Sequence, residues 1–330
     1  MDAALKHGGA LDAAIARWGG RRADWLDLST GINPQPLPLP QIAPDAWTRL
    51  PEAADAAALV DAARAFYGAA GSVVAAPGTQ ALIGLWPHLF APRRAAILSP
   101  TYEEHRHALV LAGHDAVACA RLDDIPADAS LVVIVNPNNP DGRRNDRPAL
   151  LALAERLQRQ NGLLVVDEAF ADADPVCSLA GDTAGQLPIL VLKSFGKYFG
   201  YAGLRLGFAL CGAELAGQIA ARLGPWAVSG PAMAVGAAAL RAETQTGAVR
   251  ARLEAQARMT RQTLSAAGLS ILGNTAMFTL VRDDRAAAIF ERLATRHILI
   301  RPFAYEPAWL RFGNIRNEIE AERLAGALCC

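Results

Sequence analysis

Ile189-Leu190-Val191-Leu192-Lys193-Ser194-Phe195-Gly196-Lys197-Tyr198-Phe199-Gly200-Tyr201-Ala202-Gly203-Leu204-Arg205-Leu206-Gly207-Phe208-Ala209-Leu210 is the stretch on which the fold turns. Its first four residues are an apolar run too short for a helix, and residues 206–210 form a second one, so both read as buried strands. Between them Gly196, Gly200 and Gly203 surround one lysine, Lys197, and one arginine, Arg205, eight positions apart. Glycine lets backbone approach a ligand closely. A lysine just past a strand end, among aromatic and small residues, would serve as a nucleophilic amine if buried, and a solvated surface lysine fits the same letters.

Further runs of the same kind lie at residues 95–98, 131–135 and 163–166. Helical periodicity separates several of them, as in residues 147–160 with Leu150, Leu151, Leu153, Ala154 and Leu157. Residues 52–67, with Leu59, Ala62, Ala63 and Phe66 on one face and Gly68 as a stop, predict an amphipathic helix. This alternation is that of an α/β domain with a mainly parallel sheet flanked by helices. After Pro225 the texture changes: residues 231–267 are Ala-rich and read as one long helix or two joined near Gly247. Strands are expected at 277–281, 298–300 and 309–312, with helices at 285–296 and 318–328. The expected organisation is a large domain over residues 36–225 plus a smaller α+β domain built from both termini, residues 1–35 and 226–330. The prolines at 34, 36, 38, 40 and 44 cross between them.

Composition limits the function. Lys plus Arg and Asp plus Glu each total 32 in 330 residues, so no net positive charge draws the chain to nucleic acid or an acidic membrane. At 52% hydrophobic and 19% charged, the chain is too apolar for disorder. Its five cysteines, Cys119, Cys177, Cys211, Cys329 and Cys330, form no CxxC and no metal spacing, and a reduced cytoplasmic protein is expected. His105 and His107, at i and i+2, do not share a helix face, so no metal pair is read there.

Two more motifs sit at strand ends. Asn136-Pro137-Asn138-Asn139-Pro140-Asp141-Gly142 follows the run 131–135, where open α/β sheets place ligands or simply turn. Asp167 and Glu168 end the run 163–166, and a carboxylate emerging from apolar surroundings needs a partner or serves as a helix cap.

The ordered set Asn139, Asp167, Ser194, Lys197 and Arg205 resembles the fold-type I pyridoxal-phosphate enzymes related to aspartate aminotransferase, over nearly the whole chain. Within that superfamily, His7-Gly8-Gly9 and Asp27-Leu28-Ser29-Thr30-Gly31-Ile32-Asn33-Pro34 are similar to the threonine-phosphate decarboxylase branch of cobalamin biosynthesis, with histidinol-phosphate aminotransferases as near relatives. The resemblance implies pyridoxal 5'-phosphate as cofactor. It gives Lys197 as the amine that condenses with the cofactor aldehyde and moves protons, and Asp167 as partner of the ring nitrogen. Asn139 would bond the ring hydroxyl, and Tyr102 would stack on the ring face. Gly78, Thr79 and Gln80, opening a helical run, would bind the phosphate together with Ser194 and Arg205. Arg311 would take a substrate carboxylate, with His7, Gly31 and Arg301 near a second anionic group of an amino-acid phosphate.

Two departures qualify the resemblance. Phe170 stands where the family usually has a tyrosine, which disfavours a transaminase and agrees with the decarboxylase branch. Arg49-Leu50-Pro51 lacks the tyrosine that reaches a partner subunit's cofactor phosphate, although a homodimer is implied. The alternatives are an aminotransferase on histidinol phosphate or a similar amino acid, and a regulatory protein that senses the same cofactor. A regulator would add a DNA-binding module, for which this zero-charge chain offers nothing.

Overall fold

Residues 8–329 are described by the computed structural model, and they fall into two units. One comprises the described residues up to Gln35, Pro140–Arg143 and the chain from Gly247 onward; the other comprises Pro36–Asn139 and Arg144–Thr246.

Leu26–Asp27 (β1) is followed along the chain by the seven strands of one sheet. These are Ser72–Ala76 (β2), Arg94–Leu98 (β3), Asp115–Cys119 (β4), Leu131–Val135 (β5), Leu163–Asp167 (β6), Ile189–Ser194 (β7) and Gly207–Cys211 (β8). Their order in the sheet is β2-β8-β7-β6-β5-β3-β4. Strands β3 to β7 pair in parallel, and β8 runs antiparallel to both β7 and β2. The central strands are buried along their whole length, which explains their unbroken apolar sequences. On one face Leu82, Ile83, Trp86, Leu109, Ala216 and Ile219 of the covering helices pack against Ile97, Val133, Val165 and Leu190.

Local chemistry sets the helix ends. Ala53–Tyr67 begins where the Glu52 amide donates to Asp55 Oδ2 at 2.9 Å, and it ends at Gly68, whose φ of 62° suits glycine. The Ala-rich stretch forms two helices, Gly230–Arg241 and Glu243–Ala266. Their break lies at Ala242, which leaves helical geometry at ψ 58°, and not at Gly247, which lies inside the second helix. Helix Gly230–Arg241 rests on Ala53–Tyr67: a Cβ at Gly236 would lie 2.6 Å from Leu206 Cδ2 and 2.9 Å from Leu59 Cδ1. Its apolar face therefore belongs to the large unit, and the division expected at 225/226 falls at Thr246/Gly247. Pro140–Arg143 also leaves the large unit, because the Asp141 carbonyl lies against Gly273 of the other.

In the smaller unit, Ser270–Asn274 (β9), Phe278–Arg282 (β10), Ile298–Leu299 (β11), Arg301–Pro302 (β12) and Trp309–Gly313 (β13) complete the strands. An antiparallel sheet runs β12-β13-β10-β9, while β11 pairs in parallel with β1. The single strand expected at 298–300 is thus two short pairings with different neighbours. Leu11, Ala14, Ile289, Phe290, Leu293, Leu324 and Leu328 from three helices pack on Val281, Leu310 and Phe312. Among the described residues no helix is long and apolar enough to cross a membrane.

Candidate active site

Because β3 to β7 share a direction, Leu98, Val135, Asp167 and Ser194 end at one edge of the large sheet. Strand β8 starts at that edge, and Gly207 pairs with Ser194 on one side and Ala76 on the other. The chain leaving β2 passes over Gly207 so closely that a Cβ there would lie 2.5 Å from the Thr79 amide nitrogen. Gly78 has φ +88°, and a Cβ on it would be 2.7 Å from Arg205 Nη2. Arg205 is itself left-handed at φ 52°, and its Nη1 donates to the Ala202 carbonyl at 3.2 Å. The amino end of helix Thr79–Leu85, the Arg205 guanidinium and Ser194 therefore meet at one corner, with the Thr79 hydroxyl anchored on the Lys193 carbonyl at 3.1 Å. Backbone amides at a helix start beside a guanidinium make a corner suited to an anion.

Asp167 is buried. Its Oδ2 lies 2.8 Å from His105 Nε2, and its Oδ1 accepts from the Ala169 amide at 3.0 Å. His105 rises from helix Glu104–Leu111, which follows β3, and is fully enclosed. Tyr102 packs edge-on against His105, with centroids 6.1 Å apart, and its hydroxyl donates to Gln80 Oε1 at 3.1 Å. Gln80 Nε2 in turn donates to Glu104 Oε2 at 3.0 Å. Asn138 ties the two loops behind this group: it donates to the Pro100 carbonyl at 2.9 Å and accepts from the Thr101 hydroxyl at 2.6 Å. Asn139, next along, is half-buried.

Lys197 follows β7 in the four-residue helix Phe195–Tyr198, half-buried, with Nζ 5.9 Å from the centre of the Phe170 ring. Lys193 differs sharply. It is almost wholly enclosed, 2.7 Å from Glu168 Oε2 and 3.4 Å from Asp172 Oδ1. Burial alone would lower its ammonium, and the two carboxylates more than reverse this, holding it above its ordinary value.

In the smaller unit Arg311 lies in β13 directly opposite Arg301 in β12. Arg311 is buried beneath the Phe278 ring, 5.2 Å from its centre, and its Nη2 donates to the Ser29 carbonyl at 2.9 Å. Burial first, and the Arg301 charge second, bring its guanidinium down to about 10. Gly31 is buried two residues beyond Ser29. His7 lies outside the described residues.

The geometry thus brings Gly78, Thr79, Gln80, Tyr102, Asp167, Ser194, Lys197 and Arg205 to one edge of one sheet. It also supplies residues that the sequence reading did not assign to a site. His105, which shares no helix face with His107, reaches Asp167 across 62 positions. Glu104 and Asn138 support Gln80 and the loops in the same indirect way. The edge suits a phosphorylated aromatic aldehyde: an anion corner that a Cβ on Gly78 would fill, an amine, and a carboxylate anchored by two donors yet with lone pairs to spare.

Comparison with known proteins agrees with this geometry. The chain belongs to the aminotransferase class I and II family, whose pattern it matches over residues 23–328. It is 44% identical to a threonine-phosphate decarboxylase from Sinorhizobium sp, covering 99% of this chain and 98% of that one. It is 43% identical to a threonine-phosphate decarboxylase from Pseudomonas aeruginosa, covering 98% and 97%. The histidinol-phosphate aminotransferase of Sinorhizobium meliloti, solved with pyridoxal-5'-phosphate, superposes with a TM-score of 0.81 at 21% identity, over 96% of this chain and 93% of that one.

Proposed function

We propose that this protein is a pyridoxal-phosphate-dependent lyase that removes the carboxylate of L-threonine O-3-phosphate as carbon dioxide and leaves aminopropanol phosphate, for the side chain of cobalamin. One observation carries the reading: near-full-length likeness to two threonine-phosphate decarboxylases, in a chain whose Lys197, Asp167 and anion corner share one sheet edge.

Bound pyridoxal phosphate supplies an aldehyde and a ring that draws off the electrons of a breaking Cα bond. Lys197 is the amine for that aldehyde and carries the proton that replaces the carboxylate at Cα. Asp167, its carboxylate held by His105 Nε2 and the Ala169 amide, would pair with the ring nitrogen. The Gly78, Thr79 and Gln80 turn, Ser194 and Arg205 take the cofactor phosphate. Asn139 takes the ring hydroxyl and Tyr102 the ring face. Arg311 takes the substrate carboxylate, with Arg301, Gly31 and His7 for the substrate phosphate. Phe170 places an apolar ring, without a phenol to donate, beside Lys197. A cytoplasmic homodimer belongs to the same reading. It is supported by four free cysteines among the described residues and by exposed apolar side chains on the large unit.

The test is purified protein incubated with cofactor and threonine phosphate, with and without a keto acid. Carbon dioxide release that needs no keto acid is expected, while strict keto-acid dependence with amino transfer would identify an aminotransferase instead. Lys197→Ala is expected to lose the visible absorbance of the loaded protein, and to lose at least about 10²- to 10⁴-fold in turnover from proton transfer alone. Unchanged turnover would remove Lys197 from its role.

A further inference from the structure

The chain has three lysines, Lys6, Lys193 and Lys197, and the last two lie four residues apart in different surroundings. Alternation along a strand sends successive side chains to opposite faces. Asp167 is in register with Leu192, so Glu168 and Lys193, one residue further along each strand, share the opposite face and meet there at 2.7 Å. The chain after Glu168 carries Phe170, and then returns through Asp172, Ser178 and Leu179 to the same point. Asp172 Oδ1 lies 3.4 Å from Lys193 Nζ, the Ser178 hydroxyl donates to Glu168 Oε2 at 2.5 Å, and the Leu179 amide donates to Glu168 Oε1 at 2.7 Å. Lys193 Nζ also sits 5.0 Å from the centre of the Tyr67 ring.

A buried ammonium between two buried carboxylates is a costly device unless each charge is paired, and a hydrophobic replacement often serves stability as well. Its geometric consequence here is specific. Phe170 lies between Glu168 and Asp172, and both of these face Lys193, so the residue carrying the ring is pinned on either side. The ring so pinned is the one whose centre is 5.9 Å from Lys197 Nζ.

We propose that Lys193 is a positioning residue for Lys197: by tying Glu168 and Asp172 on either side of Phe170, it fixes the ring that covers the Lys197 amine. The functional weight of this rests on Lys197 being the cofactor lysine, whereas the positioning itself is a property of the chain without cofactor.

The experiment uses ligand-free protein, so that these two statements fail separately. Native full-length chain is acylated for short times with a small amine reagent, and labelling of Lys193 and Lys197 is read peptide by peptide. In the wild type Lys193 is expected to be protected and Lys197 to react slowly. Asp172→Asn keeps the Lys193–Glu168 pair but exchanges an ionic tie for a neutral one, and is expected to raise the Lys197 rate about fivefold through local opening. Phe170→Ala, which removes the cover directly, is expected to do at least as much. Lys193→Met should expose Lys197 likewise, and Lys193→Arg should restore the wild-type rate. If Lys193→Met fails to fold, Asp172→Asn and Phe170→Ala still decide. A folded Asp172→Asn or Phe170→Ala protein with wild-type Lys197 labelling would overturn the proposal. Wild-type protein that gains no visible absorbance with pyridoxal phosphate, while these labelling changes hold, would instead overturn the cofactor role and leave the positioning intact.

Discussion

The Arg311 guanidinium is buried under Phe278, with Arg301 opposite it across the strand pair. Burial first and the Arg301 charge second bring Arg311 down from its ordinary value to about 10, a cost on the order of 3 kcal/mol to its protonated form. The sign follows from linkage: below about pH 10 both states hold the proton and the folded state carries the full cost, while above about 10, until the unfolded chain also loses its proton, only the unfolded chain holds it and stability rises with pH. Arg311→Met relieves that cost but orphans the Ser29 carbonyl, at about 1–2 kcal/mol. A net gain of about 1–2 kcal/mol is expected, with KM for threonine phosphate raised about 10- to 100-fold as a charged pair is lost. A thermal midpoint that drops by several degrees would contradict this account of the site. In the unaltered protein, affinity for a carboxylate ligand should fall tenfold per unit as pH climbs past about 10. The placement of Lys197 and Asp167 at strand ends was legible because each ends or closely follows an unbroken apolar run. His105 was not, since nothing in its own neighbourhood announces a carboxylate 62 positions away.

At the scale of elements, strands buried on both faces declared themselves, and edge strands did not. Residues 131–135 are apolar throughout, whereas β4, at the sheet margin, mixes exposed Asp115 and Ala118 with only partly buried Ala116 and Val117. The direction of β8 was also illegible, because an apolar run carries no sign of its polarity. That direction matters, since it brings Gly207 under the Thr79 amide at the anion corner. Gly207→Ala is accordingly expected to destabilise the ligand-free protein by about 1–3 kcal/mol, since backbone must shift to admit the methyl group. Pyridoxal-phosphate affinity should weaken at the same time. Gly203→Ala, four residues earlier in open space, provides the contrast and should stay within about 0.5 kcal/mol. Equal denaturation midpoints for the two variants would show that the close approach at Gly207 has no energetic weight.

For the whole molecule, the division between units escaped the sequence because an Ala-rich helix looks alike on either side of a boundary, and only packing on Ala53–Tyr67 assigns Gly230–Arg241 to the large unit. The same packing bears on assembly. Leu39, Trp47, Leu50 and Trp226 are 74%, 70%, 64% and 59% exposed on the large unit. Gly230 lies so close to Ala46 that a Cβ there would be 2.3 Å from the Ala46 carbonyl oxygen, so the short helix holding Trp47 packs beside the helix that starts four residues after Trp226. Trp47 and Trp226, left in water on neighbouring stretches of chain, with Leu50 three residues beyond Trp47, are the kind of apolar patch that subunit contact removes. A homodimer through this face should therefore sediment at about twice 34.9 kDa at micromolar concentration. Trp47→Glu, which buries no less core because the side chain is already outside, should shift the protein toward monomer without lowering its thermal midpoint at low concentration, where both proteins are dissociated. A wild-type monomer at high micromolar concentration would end the homodimer reading, and a Trp47→Glu dimer of unchanged dissociation constant would move the interface elsewhere.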